Sequence, residues 1–213
     1  MNHYYDFKYP YLQYYCVDYD NNHVCCSIPP QMLADKYMQK FGTTPRTFFD
    51  CGAGAGMIIQ MATKYGMDAH GIDIHKYPSQ PAIIKMKLNG TMVTYPTPNV
   101  NELIKSGRIQ IKSITVCKPT NADIVFCNGS LACLHEKEIP TTLSKFKTAK
   151  MVCMIDNTTE DIEWAKSMGD DLLADNATRT IKPNTWWIKQ FENIGFITEF
   201  DNHLHSIIAV NKR

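Results

Sequence analysis

The chain contains no C-x-x-C pair, although eight cysteines are spread along it as Cys16, Cys25, Cys26, Cys51, Cys117, Cys127, Cys133 and Cys153. That spacing excludes a zinc ribbon and a dithiol redox motif, and several of these thiols sit in apolar, strand-like runs where a reduced cysteine acts as a small hydrophobe. Cys133 with His135, and His23 with Cys25 and Cys26, lack the ligand spacing of a metal site, so no metal is expected. Excess charge of either sign is missing too: 22 basic residues against 21 acidic ones leave a formal net charge of +1. No global field therefore draws the chain to nucleic acid or to an anionic membrane. No run of ~18 apolar residues occurs, and the start Met1-Asn2-His3-Tyr4-Tyr5-Asp6 has no apolar h-region, which predicts a soluble cytoplasmic protein. Repeats and low-complexity tracts are absent as well. The 213 residues, 44% of them hydrophobic, suit one well-buried domain over 1–213, with a tyrosine-rich segment and helix over 1–42 and a core over 43–213.

The informative residues lie between Thr47 and Ile74. Phe48 and Phe49 end a short apolar strand, Asp50 stands where the strand emerges, and Gly52, Gly54 and Gly56 allow a tight turn with close backbone approach to a ligand. Met57, Ile58, Met61, Ala62 and Tyr65 then recur at helical spacing up to Gly66. A second strand runs from Asp68 to Ile74 and carries Asp73 near its end, where an acid holds the two hydroxyls of a ribose by charge-assisted hydrogen bonds. The glycine spacing is G-x-G-x-G, not the G-x-G-x-x-G of a dinucleotide fingerprint, and Asp50 beside the turn favours a cationic ligand over a pyrophosphate.

This run resembles motif I of the class I S-adenosylmethionine-dependent methyltransferases, and Asp73 matches that family's acid at the end of the second strand. The resemblance extends from Pro30 to Arg213. It implies an α/β fold, a Rossmann-like seven-stranded mostly parallel sheet with helices on both faces and a C-terminal antiparallel hairpin, and S-adenosyl-L-methionine as cofactor. The residues it assigns to the cofactor are Asp50, Gly52, Ala53, Gly54 and Gly56 at the aminoacyl part, Asp73 and Ile74 at the ribose and one adenine face, and Asn128 with Gly129 beside the sulfonium. After the third strand the family commonly places an acid for the adenine amino group; this chain has Ser113, whose hydroxyl or nearby carbonyls take that role.

The remaining elements follow from periodicity. A helix after Ser27-Ile28-Pro29-Pro30 carries Leu33, Tyr37, Met38 and Phe41 on one face and stops at Gly42. The proline-rich stretch Lys76 to Val100 reads as irregular, with one short helix near Pro81 to Lys87. Asn99 to Ser106 reads as a helix, Arg108 to Ile114 as the third strand, and Ala122 to Gly129 as the fourth, similar to motif IV. Helices over Glu138 to Lys147, Glu160 to Met168 and Thr185 to Asn193 alternate with a strand over Met151 to Ile155. Phe196 to Phe200 and His205 to Val210 form a closing hairpin about Asp201-Asn202.

Motif IV narrows the acceptor. It has neither a Pro-Pro-Tyr for exocyclic base amines nor a Pro-Cys for cytosine C5, so DNA is not the expected partner. A small-molecule oxygen or nitrogen acceptor is the reading. The alternatives are an RNA or protein methyltransferase, reached through the tyrosine-rich N-terminus, and a catalytically silent S-adenosylmethionine-binding subunit. Seven of the chain's 11 tyrosines, among them Tyr14 and Tyr15, lie in the first nineteen residues, where they either pack the segment or recognise the acceptor. Trp186 and Trp187 resemble the family's C-terminal aromatic element, one as core and one as pocket wall. Arg179 is either a solvated residue or an anion clamp, and His203 and His205 read as edge residues. His135 is either a helix-entry residue or a general base; Asp156 either orients the acceptor or caps the following helix at Thr158.

Overall fold

The computed structural model describes residues 12–18, 23–26, 28, 30–74, 83–88, 91–96, 99–119, 121–156, 158–167, 178–202 and 204–211, with side chains throughout except in 12–18, 23–26, 83–88, 91–96 and 164–165. In chain order the elements are β1 (Leu12–Asp18), β2 (His23–Cys26), α1 (Pro30–Phe41), β3 (Thr47–Cys51), α2 (Met57–Lys64), β4 (Asp68–Asp73), β5 (Ile83–Leu88), β6 (Thr91–Pro96) and α3 (Val100–Lys105). They continue with β7 (Ile109–Ile111), β8 (Ile124–Asn128), α4 (Ile139–Ser144), β9 (Met151–Ile155), α5 (Thr159–Ser167), α6 (Asn184–Asn193), β10 (Phe196–Asp201) and β11 (Ser206–Asn211). Single 3₁₀ turns at Ile114–Val116 and Glu136–Glu138 precede β8 and α4 respectively.

The main sheet has seven strands in the order β10-β11-β9-β8-β3-β4-β7. β3 pairs in parallel with β4 and β8, β4 with β7 and β8 with β9, while β11 runs antiparallel to both β9 and β10. The central strands are continuous apolar runs because helices cover both of their faces. Ile124 and Phe126 of β8 join a core with Leu33 and Tyr37 of α1 and Ile59 and Ala62 of α2. Val125 and Cys127, pointing the other way, pack with Ile139 and Leu143 of α4 and Trp187 and Phe191 of α6. At the amino edge Asp123 joins the layers: it accepts hydrogen bonds from the Arg46 and Thr47 N–H groups at 2.7 and 3.0 Å and from the Tyr37 hydroxyl at 3.0 Å.

Several expectations are corrected. Pro81 to Lys87 is not a helix: Ile83–Leu88 and Thr91–Pro96 form an antiparallel hairpin, and β5 also pairs with β1, giving a second sheet of order β2-β1-β5-β6. Tyr14 stands opposite Met86 and Tyr15 opposite Cys26 in that sheet. The third core strand covers only Ile109–Ile111, because the chain turns into a 3₁₀ helix at Ile114. On α1, Met38 is 46% exposed and leaves the buried face to Leu33 and Tyr37; Tyr65 is the exposed C-cap of α2. His205 lies before β11 in a left-handed turn with φ 45°, and His203 is outside the described residues.

Candidate functional site

From β3 the chain crosses to β4 and β7 on one side, while β8 and β9 lie on the other. The carboxyl ends of β3 and β8 are therefore the point at which the winding reverses, the place where open α/β sheets leave a ligand crevice. The turn after β3 is held from β4: the N–H groups of Gly52 and Ala53 both donate to the Ile72 carbonyl, at 2.9 and 2.8 Å. Gly52 has φ 94°, and a Cβ there would lie 2.9 Å from the Cβ of Ser130, so only glycine lets the loops after β3 and β8 come this close. Gly54 and Gly56 also have positive φ, at 51° and 80°. Gly71 opposite them is excluded from bearing a side chain by the Asp50 carbonyl oxygen, which would stand 2.7 Å from its Cβ.

Asp50 and Asp73 are 2% and 7% exposed. Asp73 accepts the Gly54 N–H at 2.7 Å through Oδ2, tying the glycine turn to the tip of β4. Burial, and secondarily the charge of Asp73, push the Asp50 carboxyl up to about 8. Two carboxyl groups facing one small backbone loop make a site that calls for positive charge and hydrogen-bond donors. Ile74, directly after β4, is 63% exposed and presents an apolar surface beside them. The Ser113 hydroxyl is engaged locally, accepting the Thr115 N–H at 3.2 Å and sharing a hydrogen bond with the Thr115 hydroxyl at 2.9 Å. On the β8 side, Gly129 has φ 64° and donates its N–H to the Ile155 carbonyl at 2.8 Å, while its own carbonyl accepts the Cys133 thiol at 3.0 Å.

The loop that follows β8 is laced to the segment before α6. The Ala132 carbonyl accepts the N–H groups of Arg179 and Thr180 at 2.8 and 2.9 Å, and the Thr180 hydroxyl donates to the Leu134 carbonyl at 2.6 Å. This brings together two expected residues far apart in sequence: Arg179 Nη1 donates to His135 Nε2 at 3.0 Å, both side chains being exposed. Lys182 sits 5.5 Å from the Trp186 ring centre and pairs with Glu136 at 2.8 Å. Trp187 is fully buried; Trp186 meets it edge-on at 5.0 Å and remains partly exposed. The side chains of Tyr14 and Tyr15 lie outside the described residues.

Asp156 follows β9 and is 8% exposed; burial pushes its carboxyl up to about 8. It does not cap α5. Thr158 does so instead: its hydroxyl donates to Asp161 at 2.8 Å and accepts the Asp161 N–H at 3.4 Å. Neither oxygen of Asp156 has a hydrogen-bond partner among the described residues, although the Leu131 and Ala132 N–H groups point towards it. Sequence reasoning missed Gly71 and Ser130, whose roles are steric and come from their close approach to β3 and the turn after it. The described residues contain no group of three or more potential metal ligands.

No protein-family model matches the sequence, and no curated protein matches it. Among solved structures, the plantazolicin methyltransferase BpumL in complex with a pentazolic desmethylPZN analog and SAH is similar at a TM-score of 0.60 and 12% identity, over 85% of this chain and 83% of that one. An O-methyltransferase family protein from Burkholderia thailandensis is similar at 0.53 and 14%, over 86% and 56%. The magnesium protoporphyrin IX methyltransferase ChlM from Synechocystis PCC 6803 with bound SAM is similar at 0.51 and 14%, over 85% and 77%. At such identities the likeness establishes the fold, and this chain has that of the class I methyltransferases.

Proposed function

We propose, from the methyltransferase fold and the crevice built on it, that the protein binds S-adenosylmethionine and transfers its methyl group to a small-molecule oxygen or nitrogen acceptor. The observation that carries this reading is the pairing of the glycine turn with Asp73 at the reversal point between β3 and β8. The residues present fit the cofactor. Asp50 is a buried carboxyl beside another, and an aminoacyl ammonium is the partner that favours its ionised form. Asp73 suits ribose hydroxyls, exposed Ile74 suits an adenine face, and the space around Gly54 is open, with nothing within 4 Å of a Cβ built there. On this reading the Ser113 hydroxyl or the carbonyls beside it would receive the adenine amino group, and Asn128 and Gly129 would border the sulfonium.

When bound, S-adenosylmethionine supplies an electrophilic methyl group, so the chain itself has to position an acceptor in line and keep it there. The segment leading into α6 suits that purpose, since Arg179 is oriented by His135 and the partly exposed Trp186 carries Lys182 over its ring. The described residues contain no helix long and apolar enough to cross a membrane. On this reading the chain is one methyltransferase domain, with the β2-β1-β5-β6 sheet as an addition to it.

Calorimetry with S-adenosylmethionine, S-adenosylhomocysteine and NAD tests the proposal. Binding of the first two in preference to NAD is expected, and equal or tighter binding of NAD would overturn it. Incubation with labelled S-adenosylmethionine and cell extract then separates the outcomes: label in small products supports the reading, label in RNA or protein replaces it with a macromolecular methyltransferase, and tight binding without turnover replaces it with a silent subunit.

A further inference from the structure

Resting on the methyltransferase reading, we propose that Asp156 receives the methyl acceptor and that the acceptor is held there by an amine. The Ile155 carbonyl accepts the Gly129 N–H at 2.8 Å, so the next residue, Asp156, stands at the carboxyl edge one strand from the Asn128-Gly129 turn. Its carboxyl group is removed from water, yet neither oxygen has a hydrogen-bond partner among the described residues. Buried polar groups are almost always paired, and one left open at the ligand edge of an α/β sheet is a place for a ligand to complete. The structural role that would otherwise explain an acid here, capping α5, belongs to Thr158 and Asp161.

The surroundings select the ligand. Asp156 borders a cavity of about 10 Å³ whose other polar walls are Thr158, Asp161, Asn184, His205 and Ser206. That volume accepts one water-sized polar head group. Among the described residues no lysine or arginine lines it, while two carboxyl groups and one imidazole do. An amine, which can take up the Asp156 proton and pair with the carboxylate left behind, is therefore favoured over a carboxylate or phosphate. The anion-suited Arg179 lies on the segment laced to the loop after β8 and does not line this cavity.

The test uses the full-length protein, labelled S-adenosylmethionine and a small-molecule extract, with labelled products separated on cation- and anion-exchange resins at neutral pH. The label is expected on the cation exchanger. Asp156→Asn should lower labelling at least tenfold, with S-adenosylmethionine affinity held within twofold. Because Asp156→Asn keeps an oxygen towards the Leu131 and Ala132 N–H groups, it should melt at the wild-type temperature, whereas a purely structural acid would make it melt lower. Anionic or neutral products, undiminished labelling in Asp156→Asn, or cofactor binding without any labelled product would each overturn the assignment. Failure of the wild type to bind the cofactor at all would instead remove the methyltransferase reading on which it rests.

Discussion

Replacing Asp73 by alanine and by asparagine separates two roles of one carboxylate. Its Oδ2 accepts the Gly54 N–H at 2.7 Å in a site only 7% exposed, so it anchors the glycine turn whether or not it also holds a ribose. Losing a charge-assisted hydrogen bond to the ligand costs about 1.5 to 3 kcal/mol, and losing the backbone anchor adds about 0.5 to 1.5 kcal/mol by loosening the turn. Asp73→Ala should therefore weaken cofactor binding by about 2 to 4.5 kcal/mol, roughly 30- to 2,000-fold. Asp73→Asn keeps an oxygen that can accept the Gly54 N–H and loses only the charge, so its loss should be about 1 to 2 kcal/mol. Calorimetric titration with S-adenosylhomocysteine, on variants whose folding is checked by circular dichroism, measures both. A folded Asp73→Ala protein with an unchanged dissociation constant would refute the reasoning, and wild-type affinity in Asp73→Asn would reduce the carboxylate to a loop anchor.

Asp50 should make binding pH-dependent. Its carboxyl group, raised to about 8, holds a proton at neutral pH, and a cationic ligand takes the ionised form, so affinity should climb up to about 50-fold between pH 6 and 8, ~2.3 kcal/mol. Calorimetry across that range should find the slope in the wild type and a flat profile in Asp50→Asn. The same raised carboxyl groups act oppositely on folding. Asp50 and Asp156 keep protons in the folded chain that the unfolded chain has already released above about pH 4, so stability should fall as pH rises from about 4 to 8, by at most about 1.4 kcal/mol per unit for each group. Urea unfolding of the ligand-free protein at pH 5.5 and 7.5 measures it, and a wild type whose stability rises between the two, or falls no more than that of Asp50→Asn, would contradict the sign. Gly71→Ala should cost about 1 to 3 kcal/mol, since its Cβ would lie 2.7 Å from the Asp50 carbonyl oxygen and 2.8 Å from Ile59 Cδ1. Gly54→Ala meets open space and should cost only the ~1 kcal/mol of its positive φ, so equal urea midpoints for the two would refute the steric account.

By itself the sequence determined the elements whose cause is local. The apolar runs at Phe48, Ile124–Cys127 and Met151–Ile155 had to be strands covered on both sides, the glycines after Asp50 had to turn, and the Phe196–Asn211 segment had to close as a hairpin. It also determined the α/β class, because strands and helices alternate along most of the chain. The β5–β6 hairpin was readable from Asn89-Gly90 between two β-forming runs, but the prolines around it favoured an irregular stretch. Tertiary structure alone decided what depends on distant partners. β1 finds β5 across the whole glycine motif; Arg179 meets His135 only because both segments hang on the loop after β8; and Gly71 must lack a side chain only because β3 lies beside it. Asp156 is the clearest case. Its position at a strand tip allowed a helix cap, and only the fold shows that the Thr158 and Asp161 side chains take that role instead. Periodicity and spacing record which face of an element is apolar, whereas pairing, burial and the state of a buried carboxyl group are set by the neighbours that the fold brings to it.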